Sequence, residues 1–248
     1  MNVFKEGVDI SSKNIVIFVP IFIVVILKFI LSLFFFKFRI LSLGFTPGFA
    51  ISRIRMYLQE MLHSSSLPFF SGGLIISIFF FIIAIIAHVA TIGMANEAAE
   101  KSSVSLAGAI NTVRSRIAPY LLGVLIIHII SIVGLIFYVI PGFIAFFFLM
   151  FTPVAIVVDN MGAVSAIKRS VTLVRQNIKD TLVFFIAIIL VTAGFIIVSM
   201  VVGLVPFISH LTGLILMGVL SSYTAVVTVK FYKNLTNNAA DEDKESNS

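Results

Sequence analysis

The chain contains no cysteine and no tryptophan, and only 11% of its 248 residues are charged. The absence of cysteine excludes disulfides, thiolate metal sites and cysteine nucleophiles. The scarcity of charge excludes an ordinary soluble domain, which has roughly 25% charged and 45–50% apolar residues. Hydrophobic residues instead make up 60% of this chain, and its mean hydropathy is +1.16. This composition is typical of a protein that is mostly embedded in lipid.

Six long apolar segments account for this composition. They cover approximately residues 15–36, 70–94, 118–140, 142–158, 181–202 and 208–229. A bilayer core about 30 Å thick requires roughly 20 apolar residues for each helical crossing. The segments are apolar on all faces, whereas the strands of a membrane barrel alternate polar and apolar residues. We therefore predict an all-α, polytopic membrane domain over residues 1–235, followed by a disordered acidic tail over residues 236–248.

Short amphipathic, basic segments lead into the first, third and fifth apolar segments, at residues 3–13, 106–116 and 164–177. This arrangement predicts interfacial helices on one membrane face and favours three similar two-helix units. The chain is predicted to turn into the lipid at Lys13-Asn14, Arg116-Ile117 and Gln176-Asn177. Every interfacial helix needs an apolar side and a basic side, however. A similarity this short can therefore also arise between segments that are not a true repeat.

The third amphipathic segment has the clearest pattern. Asp159 and Asn160 are predicted to cap its start, because their side chains can accept backbone N–H groups. The apolar stripe is predicted to contain Ala163, Ile167, Val171, Val174 and Ile178. The opposite stripe contains Lys168, Thr172, Arg175 and Lys179.

Proline, glycine and the spacing of apolar residues predict three other local features. A tight hairpin is predicted at Pro141-Gly142, and an interruption of the fourth crossing near Thr152-Pro153. Residues 45–63 are predicted to form an interfacial helix on the other face of the membrane.

Lysine and arginine are unevenly divided between the two membrane faces. With six crossings, twelve of them share the side of both termini and four lie on the other side. The positive-inside rule then predicts a multi-pass protein of the cell membrane with both termini in the cytoplasm. The cations predicted to bind anionic lipid headgroups or a protein partner, rather than nucleic acid, are Lys168, Arg169, Arg175, Lys179, Arg114 and Arg116.

Lys28, His88 and His128 are charged or titratable residues within the apolar segments. They could line a transport pathway, but Lys28 could also extend its ammonium to the interface, and the histidines could bond a neighbouring helix. No Asp or Glu occurs in these segments, so we predict neither a metal site nor a cofactor.

One stretch carries a family resemblance. It comprises Ile140-Pro-Gly-Phe-Ile144, the segment from Thr152 to Ser170, and Val174-Arg-Gln-Asn177. It resembles the membrane domain found beside some bacterial glycerophosphoryl diester phosphodiesterases, and related six-helix membrane proteins of bacteria and archaea. In that family the catalysis belongs to a separate soluble barrel that begins with a His-Arg pair, which this chain lacks. The resemblance therefore implies an architecture and no reaction.

Together these observations predict a non-enzymatic integral membrane protein with a cationic cytoplasmic face. The alternative is a transporter or channel for a small or lipid-like apolar substrate, with a pathway lined by the three intramembrane polar residues. A cavity reaching Lys28 would favour the alternative.

Overall fold

The computed structural model describes residues 2–34, 67–101, 104–137, 139–202 and 209–246, and every element in these ranges is helical. The predicted all-α fold is therefore confirmed. The helices are α1 (Asn2–Lys13), α2 (Val19–Phe34), α3 (Leu67–Lys101), α4 (Leu106–Phe137), α5 (Val139–Leu149), α6 (Thr152–Val158), α7 (Ala163–Gln176), α8 (Ile178–Val202) and α9 (Ser209–Ser246). A 3₁₀ turn, Ile15–Phe18, connects α1 to α2. The predicted interfacial helix at residues 45–63 lies outside the described residues.

Five spans within these ranges are long and apolar enough to cross a membrane. They are α3, α4, the broken pair of α5 and α6, α8 and α9. The pair of α1 and α2 also meets this test, although it is bent by 93°, and counting it gives six spans. The protein is therefore a polytopic helical membrane protein, as the sequence predicts.

Asparagine forms the same elbow at two places in the chain. Asn14 has φ −125° and ψ 61°, and Asn177 has φ −122° and ψ 43°. The Asn14 amide donates to the Ile10 carbonyl at 3.2 Å, and the Asn177 amide donates to the Leu173 carbonyl at 3.1 Å. In both cases the side chain bonds the carbonyl four residues back, at the point where the helix ends.

The predicted elbow at Arg116-Ile117 is wrong, because α4 runs through it without a break. Neither residue has a short amide that could bond the carbonyl four residues back, as Asn14 and Asn177 do. The first and third predicted units thus share an elbow, and the second is a continuous helix.

Helices α4 and α5 form a tight hairpin, but Pro141 and Gly142 do not make its turn. Helix α5 begins at Val139, so Pro141 and Gly142 lie in its first turn, where proline is tolerated. Gly142 serves close packing instead of chain reversal. A Cβ placed on Gly134 of α4 would lie only 2.8 Å from the Gly142 Cα.

The interruption of the fourth crossing lies at Met150-Phe151, just before the predicted Thr152-Pro153. The backbone groups freed there are satisfied by Ser170, a fully buried residue of α7. Its hydroxyl donates to the Phe148 carbonyl at 2.8 Å and accepts from the Phe151 N–H at 3.2 Å. Helix α7 therefore holds the break between α5 and α6.

The main core lies at one end of the bundle. Its centre is an aromatic cluster in which Phe184 of α8 stacks on Phe231 of α9, with 4.1 Å between the ring centroids. Phe151 packs against both rings, and Phe4 of α1 packs against Phe184. Many apolar side chains of α2, α3 and α8 are exposed instead, as expected of surfaces that face lipid.

Helix α9 continues to Ser246, where the sequence predicted a disordered tail from residue 236. The tail contains Ala239, Ala240, Glu242, Lys244 and Glu245, all residues with good helix propensity. These residues favour the continuation of a helix that has already formed. The acidic composition of the segment, taken alone, had favoured disorder.

Replacing Gly134 with Ala should separate α4 from α5, because the new methyl group meets backbone atoms that cannot rotate away. We expect a loss of roughly 1–3 kcal/mol in the free energy of unfolding in detergent micelles. Gly194→Ala is the control, since its Cβ would meet nothing within 4 Å. Equal effects of the two substitutions would contradict the close packing.

Ser170→Ala should leave the Phe151 N–H and the Phe148 carbonyl without a partner in a buried position. The expected loss is about 1–3 kcal/mol in the same unfolding measurement. Ser165→Ala removes an exposed hydroxyl from the same helix and should change the unfolding free energy by less than about 0.5 kcal/mol.

Candidate functional site

The segments predicted to share one membrane side do meet at one end of the bundle. Lys230 of α9 pairs with Glu6 of α1 at 3.0 Å, and Lys233 pairs with Glu100 of α3 at 2.6 Å. The Arg116 guanidinium of α4 donates to the carbonyl oxygen of Asn160, between α6 and α7, at 2.8 Å. These contacts join α1 and α3 to α9, and they join α4 to the connection between α6 and α7. Whether this end is cytoplasmic stays a prediction.

Several acidic residues at this end already have partners. Asp9 pairs with Lys13 at 2.8 Å, the Glu97 carboxylate accepts the Ser105 N–H at 3.1 Å, and the Asp159 carboxylate accepts the Tyr232 hydroxyl. Six exposed cations at this end make no ion pair within the described residues: Lys5, Lys101, Arg114, Lys168, Arg175 and Lys179. Half of them belong to α7 and the residues that follow it.

Helix α7 buries a face that differs from the predicted apolar stripe. Its buried residues are Ala163, Ala166, Ser170, Leu173 and Val174, so only two of the five predicted positions are buried. This face packs against α4, α5 and α6, not into lipid. The prediction favoured large apolar residues, but a close helix contact is better made by small ones.

The outer face of α7 carries the predicted polar stripe. Lys168, Thr172 and Arg175 are exposed at spacings of four and three residues, which place them on one side of the helix. Lys179 follows just beyond the Asn177 elbow and is also exposed. Because the opposite face is fixed in the protein core, the orientation of these charges is set by packing.

Arg116 and Arg169 have a different role from the exposed cations. Arg116 bonds the carbonyl of Asn160, a residue with φ +58° in the left-handed region. Arg169 is half-buried and lies beside the Tyr232 hydroxyl, which also donates to Asp159. Both arginines thereby hold the connection between α6 and α7 to α4 and α9. We name these five residues, Arg116, Asp159, Asn160, Arg169 and Tyr232, the interface clamp.

The predicted capping role of Asp159 and Asn160 is wrong. Gly162 occupies the N-cap position of α7, and no side chain caps this helix. Asp159 instead ends α6 and is bonded to Tyr232, 73 residues further along the chain. Sequence analysis could not find this pair, because a contact over such a separation leaves no local pattern.

The three polar residues of the apolar segments each contact a different partner. The Lys28 ammonium lies 5.9 Å from the centre of the Phe80 ring, and Lys28 is exposed. The His88 Nδ1 is hydrogen-bonded to the Tyr120 hydroxyl at 2.6 Å. The exposed His128 bonds the carbonyl of Val124 on its own helix at 2.7 Å. A shared pathway through these residues therefore stays a prediction, with no contact between them in the described part of the chain.

The metal prediction concerns the same residues. No group of three or more His, Asp or Glu side chains in the described ranges is arranged to hold a metal ion.

Part of the chain matches a known protein family. Residues 122–237 match a family described as a domain of unknown function (DUF7847). The match covers a little under half of the chain and includes α5 to α8, the second half of α4 and the part of α9 that carries Tyr232. No curated protein and no solved structure matches the chain.

Arg116→Gln should loosen the interface clamp, because the charge-assisted bond to Asn160 is lost. We expect roughly 1–2 kcal/mol lower unfolding free energy and faster proteolysis of the α6–α7 connection in micelles. Arg114→Gln removes an exposed arginine two residues away and serves as the control. An Arg114 variant as unstable as the Arg116 variant would argue against the clamp.

Proposed function

We propose that the protein is a non-enzymatic membrane protein that binds anionic lipid headgroups through the outer face of α7. The observation that carries this proposal is the stripe of Lys168, Arg175 and Lys179, exposed and without acidic partners in the described ranges. We name these three residues the basic stripe. On this proposal the stripe faces the cytoplasmic leaflet, as the positive-inside rule predicts.

Membrane electrostatics support this role. Anionic lipids attract Lys and Arg near the leaflet surface by about 1 kcal/mol per charge. A rigid stripe of three charges can therefore enrich such lipids locally, without a specific pocket. Arg114 is exposed at the same end and can add to this field. Arg116 and Arg169, which the sequence assigned to the same surface, are engaged in the interface clamp.

A protein partner with an acidic surface is the other occupant that the sequence allows. It would bind the same charges, but its binding would not depend on lipid composition. The proposed relation to the phosphodiesterase membrane domains is compatible with either occupant, because the resemblance concerns architecture alone.

A single introduced tryptophan can test lipid binding, because the chain has none of its own. Ile178 is 49% exposed and lies between the elbow and Lys179, so Ile178→Trp places the probe beside the basic stripe. In reconstituted vesicles, brominated phosphatidylglycerol should quench this tryptophan more than brominated phosphatidylcholine at the same mole fraction. The double substitution Lys168→Gln and Arg175→Gln should lower the preference by up to about 25-fold, at about fivefold per charge.

The matched control is the pair Lys5→Gln and Lys101→Gln. It removes two exposed positive charges from the same end and leaves α7 intact. This control should largely preserve the preference. Equal quenching by the two brominated lipids, or equal losses in the two double variants, would count against the basic stripe as the binding surface.

A further inference from the structure

An apolar groove lies directly below the elbow that joins α1 to α2. It has a volume of about 430 Å³ and is lined by Ile15, Phe18, Val19 and Phe22 on one side and by Val219 of α9 on the other. We name it the elbow groove. Its lining is almost wholly apolar, and Ile15 is 74% exposed at one edge.

The depth of the groove follows from how α1 packs on α9. The Tyr223 hydroxyl donates to the Phe4 carbonyl at 3.1 Å, and Gly7 approaches Val227 so closely that a Cβ would lie 2.5 Å from its side chain. Val219 lies one turn, about 6 Å, further from this end of α9 than Tyr223. The groove therefore starts just inside the level of α1, which the sequence predicts to lie among the lipid headgroups.

A cation lies close to the groove along the chain. Lys13 is two residues before Ile15, and its side chain is 70% exposed. Its ammonium is paired with Asp9 at 2.8 Å, and the Asp9 side chain is 61% exposed. Because so exposed a pair contributes little, the ammonium can exchange the carboxylate for a phosphate without much loss.

We propose that the elbow groove binds one acyl chain of an anionic phospholipid, whose phosphate is held by Lys13. The apolar lining accounts for the chain, and the lysine at headgroup depth accounts for the phosphate. This site goes beyond the basic stripe, because it lies on α1, α2 and α9 and uses none of the charges of α7.

A second groove offers a comparison within the same molecule. It has a similar volume, about 460 Å³, and an apolar lining of Val191, Gly194, Phe195, Val198 and Leu216. Its residues on α8 begin twelve positions after Lys179, about 18 Å along the helix. Neither groove has a charged residue in its lining. The second groove, however, has no cation within a few residues of it along α8, so it should accept acyl chains without regard to headgroup.

Phe22→Trp places a probe in the elbow groove, and Phe195→Trp places one in the second groove. In reconstituted vesicles, brominated phosphatidylglycerol should quench the Phe22 probe more than brominated phosphatidylcholine, with an apparent preference of up to about fivefold. The Phe195 probe should show no preference. Val19→Trp provides a second probe of the elbow groove if the Phe22 variant does not fold.

Two charge variants then test the headgroup contact in opposite directions. Lys13→Gln should abolish the preference at the Phe22 probe, and Asp9→Asn should increase it by freeing the ammonium. Lys168→Gln with Arg175→Gln should leave it unchanged, which separates this site from the basic stripe. The proposal is overturned if the Phe22 probe shows no preference, or if the preference survives Lys13→Gln or disappears with the α7 charges.

Discussion

A backbone N–H or C=O group that is unpaired in lipid costs several kcal/mol, and this constraint governs where the helices of this protein can be interrupted. Three interruptions each coincide with a polar side chain that bonds the backbone. Asn14 and Asn177 bond the carbonyl four residues back, and Ser170 satisfies both sides of the break between α5 and α6. The position of α7 therefore depends on its hydroxyl bond to a broken membrane helix.

The anchoring of α7 explains why its charges can act as a surface. Ser170 and the interface clamp attach the helix from two directions, and its small residues pack against α4, α5 and α6. Such a helix keeps its orientation whether or not lipid is bound. The cations on its outer face are thus presented at little entropic cost, which is an advantage over a helix that must order on binding.

The end that carries α7 is also where the protein is best packed. The aromatic cluster, two inter-helix ion pairs and the clamp all lie there, while long stretches of α2 and α8 expose apolar side chains. Lipid takes the place of protein neighbours on those surfaces. The two grooves lie on them, and they differ in whether a cation lies close by along the chain.

Most of the architecture was predictable because it depends on local properties of the sequence. Apolar length predicts the spans, basic amphipathic segments predict the common end, and Asn14 and Asn177 lie at predicted elbows. The sequence could not predict that Arg116-Ile117 continues a helix, since both amphipathic and apolar residues are compatible with one straight helix. The place of Pro141 and Gly142 inside α5 likewise depends on the contact between Gly134 and Gly142.

The functional surface was only partly determined by sequence. The periodicity of the third amphipathic segment predicts Lys168, Arg175 and Lys179 on one side, although in the structure Lys179 follows the Asn177 elbow and belongs to α8. Tertiary structure decided which arginines are exposed, because Arg116 and Arg169 are drawn to partners that lie 44 and 63 positions away in the chain. It also decided that the inner face of α7 meets protein and not lipid. Hydrophobic periodicity shows that a helix has an apolar side, but the partner of that side is set by long-range packing.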